Sequence, residues 1–403
     1  MGDKSAFVGG MKLGKLCILF TDGDWIESKD QSDSGIRLIQ TGNIGNGEFL
    51  YKNDKAKYIS VDTFKRLNCK EVFPNDILVS RLPEPVGRGC IIPDIGEKMI
   101  TAVDCTICRI NENLVDRKYF CYFLESNAYK TQLEQHVTGT TRKRISRKNL
   151  SCVEIDIPEQ AKQKEVVYKL DRLKKIIQNY NRELDLLDEL VRARFVEMFG
   201  TIYDKKFDMK TLPDIVSSDK KSIKRGPFGG ALKKEDFLED GYMVYEQRHA
   251  IHEDFKYAKY YVSPEKYESM IGFKVVPGDL IISCSGTLGR IAEVPIGAKE
   301  GIINQALLKI SLNKDIMNNQ FFIYQFRCKE IQDMLFGISR GSGIANMPSM
   351  NEVKAFKFIC PPLELQNQFA SFVKEIDKSR SRIQKSLEAS QELFDSLMQE
   401  YFG

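Results

Sequence analysis

A helical stretch of 43 residues occurs twice in this chain, and it constrains the possible folds more than any other feature. Residues 158–200 read PEQAKQKEVVYKLDRLKKIIQNYNRELDLLDELVRARFVEMFG, and residues 361–403 read PPLELQNQFASFVKEIDKSRSRIQKSLEASQELFDSLMQEYFG. Laid over each other at a constant offset of 203, with no gap, they share nine identities: Pro158/Pro361, Gln163/Gln366, Lys175/Lys378, Leu184/Leu387, Glu189/Glu392, Leu190/Leu393, Glu197/Glu400, Phe199/Phe402 and Gly200/Gly403. In the first copy Val166, Leu170, Leu173, Ile177, Tyr180, Leu184, Leu187 and Val191 alternate steps of four and three, the spacing of a heptad seam along one helix face. The second copy keeps the phase through Phe369, Val373, Ile376, Ile383, Leu387, Phe394 and Leu397, with Arg380 and Ser390 as polar interruptions. Each copy opens on Pro and closes on Gly, as helix ends do. A helix of this length is a rod of roughly 60 Å.

The repeat extends beyond the rods. PNDILVS at 74–80 matches PGDLIIS at 277–283 at the same offset of 203, and Gly87-Arg88 matches Gly289-Arg290 one residue out of step. Residues 1–157 read as mixed strand and helix: turns at Asp22-Gly23-Asp24 and 42–47, short β-prone runs at Ile77–Ser80, Ile100–Val103 and Thr106–Ile110, a helix over Tyr119–Leu133, and a loop over Thr138–Lys148. Four segments follow: a globular domain at 1–157, a helix at 158–200, a second domain at 201–360 and a second helix at 361–403. The second helix can bury its seam only by running back along the first. The expected fold is therefore α+β, two tandem-duplicated α/β globular domains joined by two long antiparallel coiled-coil helices, a pseudo-twofold dumbbell that brings the chain ends together.

At 403 residues, 42% hydrophobic and 29% charged, the chain is long enough for two domains with cores of their own. The net charge is +4, and because the two rods are nearly neutral the basic excess lies outside them. No run of about 18 apolar residues occurs and the N-terminus lacks the pattern of a signal peptide, so a cytoplasmic protein is expected. Of ten cysteines only Cys105 and Cys108 form a C-x-x-C, and the three histidines lie elsewhere. No metal site is predicted; the cysteines read as reduced, small apolar residues.

The chain has no G-x-x-x-x-G-K-[ST] phosphate loop, no G-x-G-x-x-G turn, no H-E-x-x-H and no Asn/Asp-Pro-Pro-aromatic tetrapeptide. No catalytic residue is assigned. Basic residues cluster instead: Arg142, Lys143, Arg144, Arg147 and Lys148 form a segment with no acid, and Lys220, Lys221, Lys224 and Arg225 precede the glycine turn Gly226–Gly230. Such clusters neutralise phosphates and can set an Arg against a guanine edge. Basic loops on two duplicated domains fit two half-sites on one duplex.

GPFGGALKKEDFLEDGY at 226–242, VPGDLIISCSGTLGRIAEVP at 276–295 and IINQALLKI at 302–310, together with the Pro-to-Gln helix starts at 158–163 and 361–366, resemble the specificity subunits of type I restriction-modification systems. The likeness covers the whole chain and is strongest in the second half; the first half carries RLPEPVGRG at 81–89 where the family tends toward a Ser-Gly-Thr-x-Gly loop. The resemblance implies a non-catalytic subunit that reads a bipartite sequence in double-stranded DNA, with one target-recognition domain per half-site and the helices as spacer. It adds Ser285, Thr287 and Arg290 to the DNA-contacting candidates. It also implies two methyltransferase subunits as partners, docked on the outer faces of the rods, and optionally restriction subunits. S-adenosylmethionine, ATP and Mg would then belong to those partners, with no cofactor in this chain. Two other readings stay open from the residues alone: a stand-alone DNA-modifying enzyme, and a coiled-coil scaffold with no DNA role.

Overall fold

The computed structural model describes residues 10–83, 85–139, 142–201, 204, 206–228, 230–337 and 347–403. Thr140 and Thr141 of the basic loop, and Gly229 of the glycine turn, lie outside the described residues. The chain divides into two compact units, Met1–Glu183 with Ile383–Gly403, and Leu184–Arg382. The division cuts through both long helices, so each unit owns half of each, where the sequence reading set the helices apart as segments of their own.

In the first unit a four-stranded antiparallel sheet runs in the order Cys17–Asp22, Cys105–Ile110, Ile77–Ser80, Gly89–Ile91. A mixed five-stranded sheet runs Gln31–Ser32, Tyr58–Ile59, Ile36–Ile39, Met99–Thr101, Glu71–Val72, its central pair parallel. Successive strand residues face opposite ways. Leu78, Cys105 and Ile107 therefore join Ile39, Ile44 and Cys90 in one core. Ile77, Val79 and Cys108 face the other way, onto the helix Arg117–Glu125 through Tyr119, Phe120 and Leu124. The buried thiols of Cys90, Cys105 and Cys108 are apolar filling, and burial pushes Cys105 up to about 12. Among the described residues no cluster of three or more His, Cys, Asp or Glu is placed to hold a metal ion.

The second unit repeats this plan. Its antiparallel sheet runs Ile223–Arg225, Leu307–Ile310, Leu280–Ser283, Ile291–Glu293, and its mixed sheet Tyr261–Val262, Tyr242–Tyr245, Gly301–Ile303, Lys274–Val275. The expected tandem duplication is thus present in both sheets, except that the edge strand Gln31–Ser32 is matched only by a single bridge from Leu238 to Tyr261.

One helix expected from periodicity is two. Tyr119–Leu133 divides into Arg117–Glu125 and Asn127–Glu134, because Ser126 is extended, donates its N–H to the Phe123 carbonyl at 2.9 Å, and accepts from the Tyr129 N–H at 3.2 Å. A serine that caps the next turn ends one helix and starts another without disturbing the apolar pattern. The second unit breaks at the same place, at Cys328.

The long helices span Gln160–Phe199 and Leu363–Phe402. Gly200 and Gly403 follow them at φ +73° and +88°, the left-handed stop that glycine adopts without Cβ strain. Within the first unit the opening of the first helix lies beside the end of the second: Lys169 Nζ donates to Tyr401 Oη at 3.3 Å, and Val166 and Leu170 share a core with Met398. Within the second unit Arg380 donates to Asp188 at 2.7 Å, and the rings of Phe195 and Phe369 are 5.4 Å apart. The pairing is antiparallel in each. Val166, Leu170, Val191 and Phe369 of the predicted seam are buried. Leu173, Ile177, Leu184, Leu187, Val373, Ile376, Ile383, Leu387 and Phe394 are half-buried, as expected where two helices alone cover each other. Leu186, Leu190 and Leu393, off the seam, are exposed. Arg380, the polar interruption, is satisfied across the pair by Asp188.

Candidate nucleic-acid interface

The basic segment of the first unit is a short ribbon running into a helix. Thr138 and Arg144 exchange backbone hydrogen bonds at 2.9 Å. Ser146 then accepts from the Asn149 N–H at 3.1 Å and caps a helix at Arg147–Ser151. Arg147 and Lys148 are therefore helical and not in the loop expected for them, since Ser146 supplies an N-cap. Ile145 is fully buried while Arg142, Lys143, Arg144, Arg147 and Lys148 are all exposed, so one apolar anchor holds five cations at the surface.

The anchor is reinforced from RLPEPVGRG. Arg81 is buried; its Nη1 donates to the Ile145 carbonyl at 3.2 Å and its Nη2 to the Val103 carbonyl at 2.6 Å, while the Ile145 N–H donates back to the Arg81 carbonyl at 3.2 Å. Its Nε lies 3.2 Å from Asp22 Oδ1, an ion pair without hydrogen-bond alignment. Asp22 also accepts from Thr106 Oγ1 at 3.0 Å, and Arg147 donates to Thr21 Oγ1 at 3.3 Å. The departure of the first loop from the family pattern thus has a structural use: Arg81 clamps the basic segment to the sheet. The signal available in the sequence was a lone cation directly after PNDILVS, where the second copy has Cys284.

The basic residues of the second unit do not form the counterpart of that segment. Arg225 occupies the place of Asp22, since Arg225 pairs with Leu308 as Asp22 pairs with Thr106 in the matching strands. The residues matching 142–144 lie outside the described residues, while beyond them the Met347 N–H donates to the Cys284 carbonyl at 3.2 Å as Ile145 does to Arg81, and Ser349 caps a helix at Met350–Ala355 that has Met350 and Asn351 where the first unit has Arg147 and Lys148. The run Lys221–Arg225 is also split by its strand. Lys221 lies in an exposed turn and Lys224 sits over the Phe273 ring at 4.8 Å, while Arg225 turns toward Phe228, 5.3 Å from its centroid. Adjacent strand residues point to opposite faces.

Ser285, Thr287 and Arg290 form the turn between Leu280–Ser283 and Ile291–Glu293. Ser283 organises it: its hydroxyl donates to the Thr287 carbonyl at 2.5 Å and accepts from the Arg290 N–H at 2.9 Å. Thr287 and Arg290 are exposed at the rim of an open recess of about 430 Å³ that Glu253, Arg327 and Gln332 also line. Arg225 lies close enough to Cys284 to oppose the rise that burial imposes on its thiol, which still stands at about 11. In the sheet Arg225 and Ile282 flank Leu308, so one strand separates Arg225 from the strand that ends in this turn.

Two solved structures share this fold along nearly the full length. One, from work on the structural basis of complex assembly and conformational transition of the type I R-M system, has a TM-score of 0.60 at 13% identity and covers 99% of this chain and 99% of its own. The other, the type I restriction-modification system S subunit from M. genitalium, has a TM-score of 0.57 at 15% identity and covers 100% of this chain and 98% of its own. The family model of the type I restriction modification DNA specificity domain matches twice, over residues 10–188 and 205–391, one match for each copy of the repeat. The duplicated two-sheet unit and the two antiparallel helices agree with these matches, and the chain belongs to the type I restriction-modification DNA specificity family.

Proposed function

We propose that this chain is the subunit that reads a bipartite DNA target, one half-site per unit, and recruits methyltransferase subunits to methylate adenine there. The observation that carries the reading is the duplication itself: the antiparallel sheet and the mixed sheet occur twice, once in each unit, and each unit holds its own part of the two long helices, so the chain offers two recognition surfaces of related design. Arg142, Lys143, Arg144, Arg147 and Lys148 are the contacts of the first half-site; Arg225, Ser285, Thr287 and Arg290 are those of the second, with Lys221 and Lys224 nearer its edge. The cations position the backbone, and side chains that reach base edges specify sequence.

Two methyltransferase subunits dock on the outer helix faces, where Leu190 and Leu393, identical in the repeat, are exposed off the seam. S-adenosylmethionine is then held by those partners, and ATP and Mg by restriction subunits where the system has them. The setting is cytoplasmic; no helix among the described residues is long and apolar enough to cross a membrane. Mapping methylated adenines in genomes with and without this gene tests the reading. One two-part motif with a constant gap should lose methylation when the gene is deleted, and an unchanged map would overturn it.

A further inference from the structure

Exposed apolar side chains mostly belong to one copy of the repeat only: Ile18 is matched by Lys221, and Ile296 by Asp94. Among the described residues three matching positions are exposed and apolar in both copies, Leu190 with Leu393, Phe73 with Val276 and Trp25 with Phe228; only the last pair is aromatic in both copies, and at 70% and 69% it is the most exposed of the three. Trp25 and Phe228 each follow by two residues a glycine whose N–H is bonded to the neighbouring strand, Gly23 to the Cys105 carbonyl at 2.9 Å and Gly226 to the Leu307 carbonyl at 2.8 Å. A Cβ on Gly23 would run into the backbone oxygens of Thr101 and Ala102, and one on Gly226 into that of Asn304. Both aromatics are therefore carried on a backbone pressed flat against the mixed sheet, a rigid mount for a side chain left in water.

A cation lies at the Phe228 ring, and another at the strand end that precedes Trp25. The Arg225 guanidinium is 5.3 Å from the Phe228 ring centroid. The strand that leads into Trp25 ends at Thr21 and Asp22, which Arg147 of the basic segment reaches at 3.3 and 3.9 Å. Sequence in the two copies has changed charge outright between the mounts, Asp22 in one and Arg225 in the other, yet an exposed aromatic stands at both. A phosphate-binding cation beside a fixed, solvent-facing ring matches a base flanked by its backbone.

We infer that Trp25 and Phe228 are base-contacting side chains, one in each unit, that present a ring to a base of their own half-site; the inference rests on the bipartite DNA reading above. The contact is with a base face or a thymine methyl.

Trp25 is the single tryptophan of the chain, so its fluorescence reports this contact alone. The full chain is titrated against a fluorophore-labelled duplex carrying the motif returned by methylation mapping, with label anisotropy reporting binding and tryptophan emission reporting the ring. Emission should be quenched in step with anisotropy. Trp25→Ala and Phe228→Ala should each weaken binding about tenfold, with Trp25→Phe restoring most of the loss and an unrelated duplex bound equally by all. Uracil in place of thymine separates the two contacts: weaker binding marks a methyl, equal binding a base face. Wild-type binding with unchanged emission, and unchanged affinity in both alanine variants, would overturn the inference and leave the DNA reading standing. Failure of the wild-type chain to bind the motif would overturn the DNA reading itself. An alanine variant that binds DNA normally but no longer assembles with its methyltransferase would assign the rings to a protein contact, against the inference.

Discussion

Gln163 and Gln366 show how much a single side chain does in this fold. They are 1% and 0% exposed and make the same bonds in each copy. The Gln163 carbonyl oxygen accepts from the Asp116 N–H at 2.6 Å while its amide donates to the Pro158 and Leu114 carbonyls at 2.8 and 3.3 Å. Gln366 accepts from Asn318 at 2.8 Å and donates to Pro361 and Ile316 at 2.8 and 3.0 Å. Each glutamine latches the first turn of a long helix to the N-cap of the helix beneath it. Because an unmade buried bond costs more than a made one stabilises, Gln163→Ala or Gln366→Ala should each destabilise the protein by about 2–3 kcal/mol, read as a lower urea midpoint. A loss below half that would mean water replaces the amide. Glu125 is held differently: burial raises its carboxyl pKa, with Lys174 at 3.1 Å opposing the rise. A folded-state value above the unfolded one means the native chain keeps the proton longer. The stability Glu125 contributes is thus full below the unfolded value and is lost as pH rises through the folded one. Glu125→Gln should flatten the dependence of the urea midpoint on pH across that window; a variant curve parallel to the wild type would contradict it.

At the scale of elements, what could be read ahead of the structure was whatever is local and periodic. The seam of the long helices was legible down to single residues because a heptad needs no knowledge of the partner, and every predicted seam position is buried or half-buried. The break at Ser126 was not, since the apolar spacing runs straight through it. Nor was the clamp of Arg81 on Ile145, which joins residues 64 positions apart. The basic runs were legible as charge but not as surfaces. A strand divides Lys224 from Arg225, and the capped helix that starts at Arg147 bends the first run onto Thr21. The first segment nevertheless remains one exposed block, so Arg142→Ala with Arg144→Ala should weaken DNA binding and lower its salt dependence by up to about two units of slope. Arg81→Ala tests the clamp from behind: it removes no exposed cation, so affinity should fall while the salt slope stays near the wild-type value. Unaltered affinity in both variants would reduce the segment to a solvated surface.

On the scale of the whole molecule, the two long helices are the only segments owned in part by both units, since the division between units falls at 183/184 in one and 382/383 in the other. Each is an uninterrupted helix of 40 residues. A helix advances about 1.5 Å per residue, so if the helices set the spacing between half-sites, their length is written into the target as a number of base pairs. Deleting 173–179 together with 376–382 removes one heptad from each helix. The antiparallel contacts survive at both ends, Lys169 with Tyr401 in the first unit and Phe195 with Phe369 in the second, because both helices shorten by the same whole heptad and the seam stays in phase. The basic segment, the Ser283 turn and the two aromatic mounts are untouched. The variant should therefore keep both half-site sequences and change only the gap, shortened by about 10 Å of duplex or three base pairs. Sequencing methylated adenines in cells carrying the variant in place of the wild-type gene reads the gap directly. The same two half-sites at the original gap would show that spacing is set elsewhere, and new half-site sequences would show that the helices shape the recognition surfaces themselves.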